Sequence, residues 1–202
     1  MMSRHLPSHS PPKRFVMEEL ALTAAGSGVW TAPAPGTYRL EVIAGGGKGG
    51  NGSGRTSYQA RTYDDGYCSI YASQFGDNWP AAWASCVSQY TTHYNAGRGG
   101  SAGGAGQYRT AEIYLRKGET VAYTVGGSGQ NSSFGEVTAT AGTAGAGGSM
   151  GNRTGGTGGY ANNARRYGKG GNGGTGEAQG GGGRTNGAAG GAGAVIINYL
   201  GR

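Results

Sequence analysis

The residues able to do chemistry crowd into one part of the chain. Cys68 and Cys86 are its only cysteines, and His93, Asp64, Asp65 and Asp77 lie in the same stretch, residues 64–93. Three chemistries use such groups. Zinc takes thiolates and imidazoles as ligands, but the spacing C-x17-C-x6-H matches no recognised zinc pattern. Nucleophilic catalysis needs an adjacent base, and outside His5 and His9 near the N-terminus the only candidate is His93, which reads more simply as a solvated side chain. Paired carboxylates hydrolyse glycosides, yet no spacing singles out a pair among Asp64, Asp65 and Asp77. The expectation is therefore a protein that is not an enzyme and carries no metal or cofactor. Oxidation gives the cysteines a structural use instead, closing an 18-residue loop worth about 3 kcal/mol.

Around these groups the aromatic residues gather. Tyr58, Tyr63, Tyr67, Tyr71, Phe75, Trp79, Trp83, Tyr90 and Tyr94 are nine of the protein's 19 aromatic residues. Asp77 or Asn78 can cap a short helix with Pro80 in its first turn, and Trp79, Trp83, Val87 and Tyr90 then line one face. Trp83 and Val87 fit a small local core. Tyr63, Tyr67, Tyr71 and Trp79, with Asp64 and Asp65, make a rigid amphipathic surface of the kind that stacks on sugars or anchors a protein epitope.

The elements that must carry this patch are unusual. Glycine supplies 47 of 202 residues, whereas charged residues make up 13% and hydrophobic ones 35%. Each glycine in a regular element costs roughly 0.5–1 kcal/mol relative to alanine, so such a chain folds only where side chains would not fit. Apolar runs are short and strand-like: Glu19–Thr23, Thr37–Ala44 with Tyr38, Leu40 and Val42 on one face, Thr110–Arg116, Thr120–Val125, Phe134–Thr140 and Ala194–Leu200. The turn residues Lys117, Gly118 and Glu119 predict an antiparallel hairpin. About six strands imply a small antiparallel β-sandwich.

Between the strands run glycine tracts that divide into triplets, at Gly46–Gly54, Gly155–Tyr160 and Gly170–Ala178 and again before the last strand. Three residues make one turn of polyproline II. Packed helices of that type, with backbone groups meeting across glycine faces, account for the period better than a floppy linker does. Collagen fails, because the triplets break and no proline occurs in the tracts. Two local motifs carry nothing: GKGGNG (Gly47–Gly52) matches the dinucleotide fingerprint but is not followed by a helix, and GKG at Gly168 lacks the rest of a P-loop. The sequons at Asn131 and Asn152 stand without a secretory signal. Arg153, Arg165, Arg166, Tyr167 and Lys169, with Arg184, sit in loops at the ends of tracts. Arginine there offers bidentate contacts to phosphate or carboxylate on loops where binding residues concentrate; solubility and protection of sheet edges is the competing explanation.

The formal charge is +7, compatible with nucleic acid, membrane surfaces or polyanionic glycans. Between Tyr58 and Tyr94 the balance reverses to about −2, so the basic residues belong to the glycine-rich part. No apolar run is long enough to span a bilayer, and the first residues lack the apolar region of a secretory signal. Residues 1–17 read as a flexible arm.

Three stretches carry a resemblance. GVWTAPAPGTYRLEVIAGGGKGG (from Gly28), YLRKGETVAYTVGGSGQNSSFGE (from Tyr114) and GGAGAVIINY (from Gly190) resemble the glycine-rich domain of bacteriophage tail-fibre and tail-tip adhesins. Trp30, Pro33, Gly36, Tyr38, Gly118, Val121, Val125, Phe134 and Val195–Tyr199 carry the match, which covers residues 28–54, 108–136 and 187–199, under half the chain. The resemblance implies one domain over 18–202 with residues 55–96 inserted, in a virion tail component assembled in the host cytoplasm. It implies partners outside the cell: a host surface glycan or outer-membrane protein, and other tail proteins, with the chain a homotrimer or a single cap on a trimeric fibre. Neither nucleic acid nor membrane insertion is expected. The alternatives are a structural fibre cap or baseplate connector, and an ice-binding bundle whose flat face Arg165, Arg166 and Tyr167 would interrupt. In the adhesin reading, Tyr63, Asp64, Asp65, Tyr67, Tyr71 and Trp79 of the insertion or the basic loop residues meet the receptor.

Overall fold

The computed structural model describes residues 15–160 and 166–201. Ten strands and two helices occur among them in chain order: β1 (Leu20–Leu22), β2 (Gly26–Thr31), β3 (Gly36–Ile43), β4 (Thr56–Arg61), α1 (Asp65–Ala72), α2 (Trp79–Val87), β5 (Tyr90–Asn95), β6 (Tyr108–Leu115), β7 (Thr120–Val125), β8 (Ser132–Phe134), β9 (Val137–Ala139) and β10 (Ala194–Gly201). One four-stranded sheet has the order β1-β10-β3-β6 and a second the order β2-β7-β8-β9, with every pairing antiparallel. Strands β4 and β5 form a separate two-stranded ribbon.

Alternation along β3 builds the core. Tyr38, Leu40 and Val42 are fully buried while Arg39 faces out, and they meet Val195 and Ile197 of the same sheet and Trp30, Val125, Phe134 and Ala139 of the other across one apolar interior. Trp30 sits edge-on to Tyr38, with ring centroids 5.2 Å apart. The Tyr38 hydroxyl donates to the carbonyl of Ala34 at 2.6 Å, and burial pushes this phenol above its ordinary pKa. On the outer face of the first sheet, Ile43, Ala194 and Ile196 are covered by Tyr108 and Tyr167.

The expected hairpin between Thr110–Arg116 and Thr120–Val125 does not form. β6 pairs with β3 and β7 pairs with β2, in different sheets. Gly118, at φ 82°, donates to Ala32, and Ala32 donates to Glu119, so the turn carries the chain from one sheet to the other across the core. A hairpin and such an arch both place turn residues between two alternating strands, and the pattern along the chain does not separate them. The expected single strand over Phe134–Thr140 is likewise two, β8 and β9, reversed at Gly135 with φ 55°. Strands β2, β4 and β5 were not among the expected six.

Beyond the sandwich, six glycine tracts, residues 45–54, 97–107, 140–148, 152–160, 168–177 and 185–193, alternately leave and return to the sheets. They bear neither strand nor helix, yet their amides are partnered in a regular way. Gly46, Gly49 and Gly52 donate to Gly191, Ala188 and Thr185 of the sixth tract, while Gly47, Gly50 and Ser53 donate to Gly104, Ser101 and Arg98 of the second. The second tract donates at the same interval to the fifth and third, and the fifth to the first and fourth. A repeat of three therefore aims successive residues at different neighbours, and the first, second and fifth tracts are surrounded by tracts. Cα–H groups on the enclosed faces point at carbonyls: a Cβ built on Gly49, Gly100, Gly171 or Gly173 would overlap the carbonyl of Asn172, Gly50, Ala188 or Gly100. No other residue fits that spacing. The asparagines of the triplets complete the network, since Asn51 Oδ1 accepts from Gly187 at 3.0 Å and Asn172 Oδ1 from Gly158 at 3.0 Å.

Candidate functional site

The direction of the tracts gives the molecule two poles. The first tract leaves Ile43 at the sheets and ends at Gly54; the second begins at Gly97 and returns to Tyr108. Residues 55–95 therefore project from the far end of the bundle, together with the turns at 148–152 and 177–185. Gly168 lies at the near end, where it accepts from Gly106 and donates to Ala192.

The projecting unit is built from the ribbon outward. Thr56–Arg61 pairs with Tyr90–Asn95 in register, from Thr56 opposite Asn95 to Arg61 opposite Tyr90. Its foot is clamped by Arg55, whose backbone N–H donates to Glu177 Oε2 at 3.1 Å, whose Nη1 donates to the Gln179 carbonyl at 3.2 Å, and whose guanidinium lies 3.8 Å over the Tyr94 ring. At the other end of the ribbon the chain enters α1. Asp64 caps it, accepting from the Tyr67 N–H at 2.7 Å, and Asp65 pairs with Arg61 at 2.6 Å. A 3-10 stretch, Ser73–Asn78, turns the chain at Gly76 into α2. Pro80 sits in the first turn of α2, as expected, and Asn78 occupies the cap position without a side-chain bond.

Between the two helices the buried side chains are Cys68, Ala72 and Cys86. Cys68 and Cys86 are joined in a disulfide, so they offer no thiolate to a metal, and His93 stacks on Tyr58 with ring centroids 5.4 Å apart. Groups of three or more metal-binding side chains are absent among the described residues. Trp83 and Val87 are half-buried. Tyr90 belongs to β5 rather than to the face of α2, and α1 was not foreseen.

The remaining aromatics are outside. Tyr67 is 51% exposed, Tyr71 41% and Trp79 40%. They stand in ring pairs, Tyr63 with Tyr67 at 4.6 Å, Tyr71 with Phe75 at 5.1 Å and Trp79 with Trp83 at 6.3 Å. The sequence held this signal, since aromatic side chains recur at every fourth position from 63 to 83, the spacing that stacks neighbours on a helix. Asp64 and Asp65 are committed to the cap and the ion pair, which leaves Asp77 as the carboxylate of the unit without such a partner among the described residues.

The basic loop residues do not share a surface. Arg153 lies at the far pole, its Nε donating to the Gly176 carbonyl at 3.2 Å. Arg166 lies at the near pole, 3.6 Å from Glu19, beside Tyr167, which covers the outer face of the first sheet. Lys169 reaches over the Tyr160 ring at 5.4 Å. Arg165 lies outside the described residues. Two far-pole residues that sequence reasoning passed over, Arg55 and Glu177, are distant in sequence and meet only because the first and fifth tracts run side by side.

Among the described residues no helix is long and apolar enough to cross a membrane. Neither a protein-family model nor a curated protein matches the sequence.

Proposed function

We propose that the protein is a non-enzymatic tail-fibre or tail-tip component of a bacterial virus that binds a host surface receptor, a polysaccharide or an outer-membrane protein, through the unit 55–96. The single observation that carries this reading is where the aromatics stand: paired, 36–51% exposed from Tyr63 to Trp79 and tied by a disulfide at the far end of a stiff bundle. Soluble proteins rarely leave such a patch uncovered without a partner for it, and aromatic anchors dominate binding surfaces. In this reading the six tracts are polyproline II helices, which the three-residue bonding repeat supports, and they act as a rigid spacer holding the reader away from the sheets. Neither a cofactor nor a catalytic step belongs to the proposal.

Adsorption decides it. Purified protein should bind cells of a susceptible bacterium, and Tyr67→Ala with Tyr71→Ala should weaken adsorption about tenfold while thermal unfolding stays unchanged. Cells stripped of surface polysaccharide separate the two receptor classes. Failure of the folded wild type to adsorb to any host would end the adhesin reading. A connector between tail proteins is the second reading. It is favoured by a different observation, the exposed Phe15, Val16 and Leu200 at the opposite pole, and it predicts capture of virion proteins instead.

A further inference from the structure

Three arginines open three tracts at the same end of the bundle. Arg98 stands near the start of the second tract, Arg153 of the fourth and Arg184 just before the sixth, and all three are exposed. Hydrogen bonds hold them around the foot of the β4–β5 ribbon. Ser53 donates to the Arg98 carbonyl at 2.8 Å, Gly99 donates to Asn152 at 2.7 Å beside Arg153, and Gly176 donates to the Arg153 carbonyl at 2.8 Å. The Arg184 Nη1 lies 4.0 Å from where a Cβ on Gly54 would stand, immediately before the ribbon. None of the three makes an ion pair among the described residues, and Glu177, whose Oε2 lies 3.4 Å from that same Gly54 position, is held by Arg55. The foot of the ribbon is therefore a collar of uncompensated positive charge.

Above the collar the chemistry changes. One face of the ribbon places Tyr94 opposite Ser57, Thr92 opposite Gln59 and Tyr90 opposite Arg61, and the ring pairs lie beyond. Six residues of strand separate collar from tip by about 20 Å. We propose that collar, ribbon and ring pairs form one extended site for an acidic polysaccharide, the arginines taking its carboxylate, phosphate or sulfate substituents and the rings stacking on its sugar faces. This rests on the receptor-binding reading and names the receptor class. The span excludes a single sugar from using both ends. Charge placement favours a polysaccharide over a nucleic acid: a strand with a phosphate at every nucleotide would carry its charge onto a tip that holds Asp64, Asp65 and Asp77 against Arg61 alone. A glycan with intermittent acidic groups need not.

The test uses the whole protein and four immobilised probes: hyaluronate, with a carboxylate on every second sugar, gellan, with one on every fourth, uncharged dextran and a single-stranded oligonucleotide. Both acidic glycans should retain the protein, with affinity falling steeply from about 50 to 500 mM salt, and dextran should not. Arg98→Ala with Arg153→Ala and Arg184→Ala should lose about tenfold or more and should flatten the salt dependence. Tyr90→Ala should lose several-fold without flattening it. Arg109→Ala with Arg116→Ala and Lys117→Ala, exposed on β6 and the turn after it, removes the same number of charges from the sheets, should bind as wild type and so controls for net charge. Equal binding to dextran, tighter binding to the oligonucleotide, or a folded triple variant that binds acidic glycans unchanged would overturn the inference. Cell adsorption separates it from its parent: adsorption that survives the triple variant and high salt removes the acidic-glycan assignment and leaves the adhesin reading, whereas absent adsorption removes the adhesin reading itself.

Discussion

The glycine bundle and the aromatic unit it carries are held together by opposite means. In the bundle the side chains are nearly dispensable and the backbone does the bonding, with amides at intervals of three donating to different neighbours and Cα–H groups set against carbonyls. In the unit at residues 55–95 the backbone forms only a ribbon and two short helices, and the interior reduces to Cys68, Ala72 and Cys86. A bundle of the first kind tolerates no added carbon on its inner faces, while a unit of the second kind depends on one covalent bond across its small interior. Backbone-bonded scaffold and exposed aromatic surface are thus separated within one chain, and under the proposed adhesin reading that arrangement lets the binding surface change without refolding its support.

The comparison breaks first if the bundle accepts side chains. Gly171→Val would drive a branched side chain into the Ala188 carbonyl and the Gly49 amide, and the expected loss is about 3 kcal/mol or more, read as a large fall in melting temperature. Gly159→Val supplies the matched control, because nothing stands within 4 Å of its Cβ. Its unfolding should shift by about 1 kcal/mol or less. Similar losses in both would reduce the packing argument to backbone propensity.

Reduction tests the other half. Breaking Cys68–Cys86 should remove about 3 kcal/mol from the unit, which has too little apolar burial to replace it. Fluorescence of Trp79 and Trp83 and exchange of α1 and α2 amides should report opening, while amides of β3 and of the tract at residues 45–54 stay protected. Uniform loss of protection across the chain would show that the two regions do not act separately.

The smallest expected effect sharpens how the two regions join. Arg55 bridges them through Glu177, Gln179 and the Tyr94 ring, so Arg55→Ala should cost about 1 kcal/mol. Faster hydrogen exchange should appear in the turn after Glu177 and at the foot of the ribbon, with adsorption weakened less than by loss of the tip aromatics. Unchanged exchange at both places would mean that the clamp is decorative.

The residues on which the expectation of a tail-fibre domain rests are mostly buried. Trp30, Tyr38, Val125, Phe134, Val195 and Ile197 all line the common core, which means the resemblance reads the scaffold. The candidate binding surface lies elsewhere, in residues 55–96, where no such pattern guides the eye. Strand character in β3, β7 and β10 was legible because alternation and apolar runs are local properties. The partner of each strand was not. Leu115 and Val121 flank a turn that looks like a hairpin and instead crosses between sheets, because each strand gains more by burying its apolar side against the shared interior than by pairing with its neighbour in sequence.

By itself the sequence determined the period of three in the tracts, the need for glycine within them, the enclosure of the aromatics between Cys68 and Cys86, and the acid-to-base contrast between insertion and bundle. These follow from spacing and composition. Only the tertiary structure decided which tract bonds to which, and therefore which residues share a pole. Arg98, Arg153 and Arg184 stand at one end and Arg166 and Lys169 at the other, although Arg153 is closer in sequence to Arg166 than to Arg98. The reason is physical: glycine backbones are chemically alike, so the pairing of tracts is selected by the lengths of their connections and by the strands that anchor them, and neither is a local property of the chain.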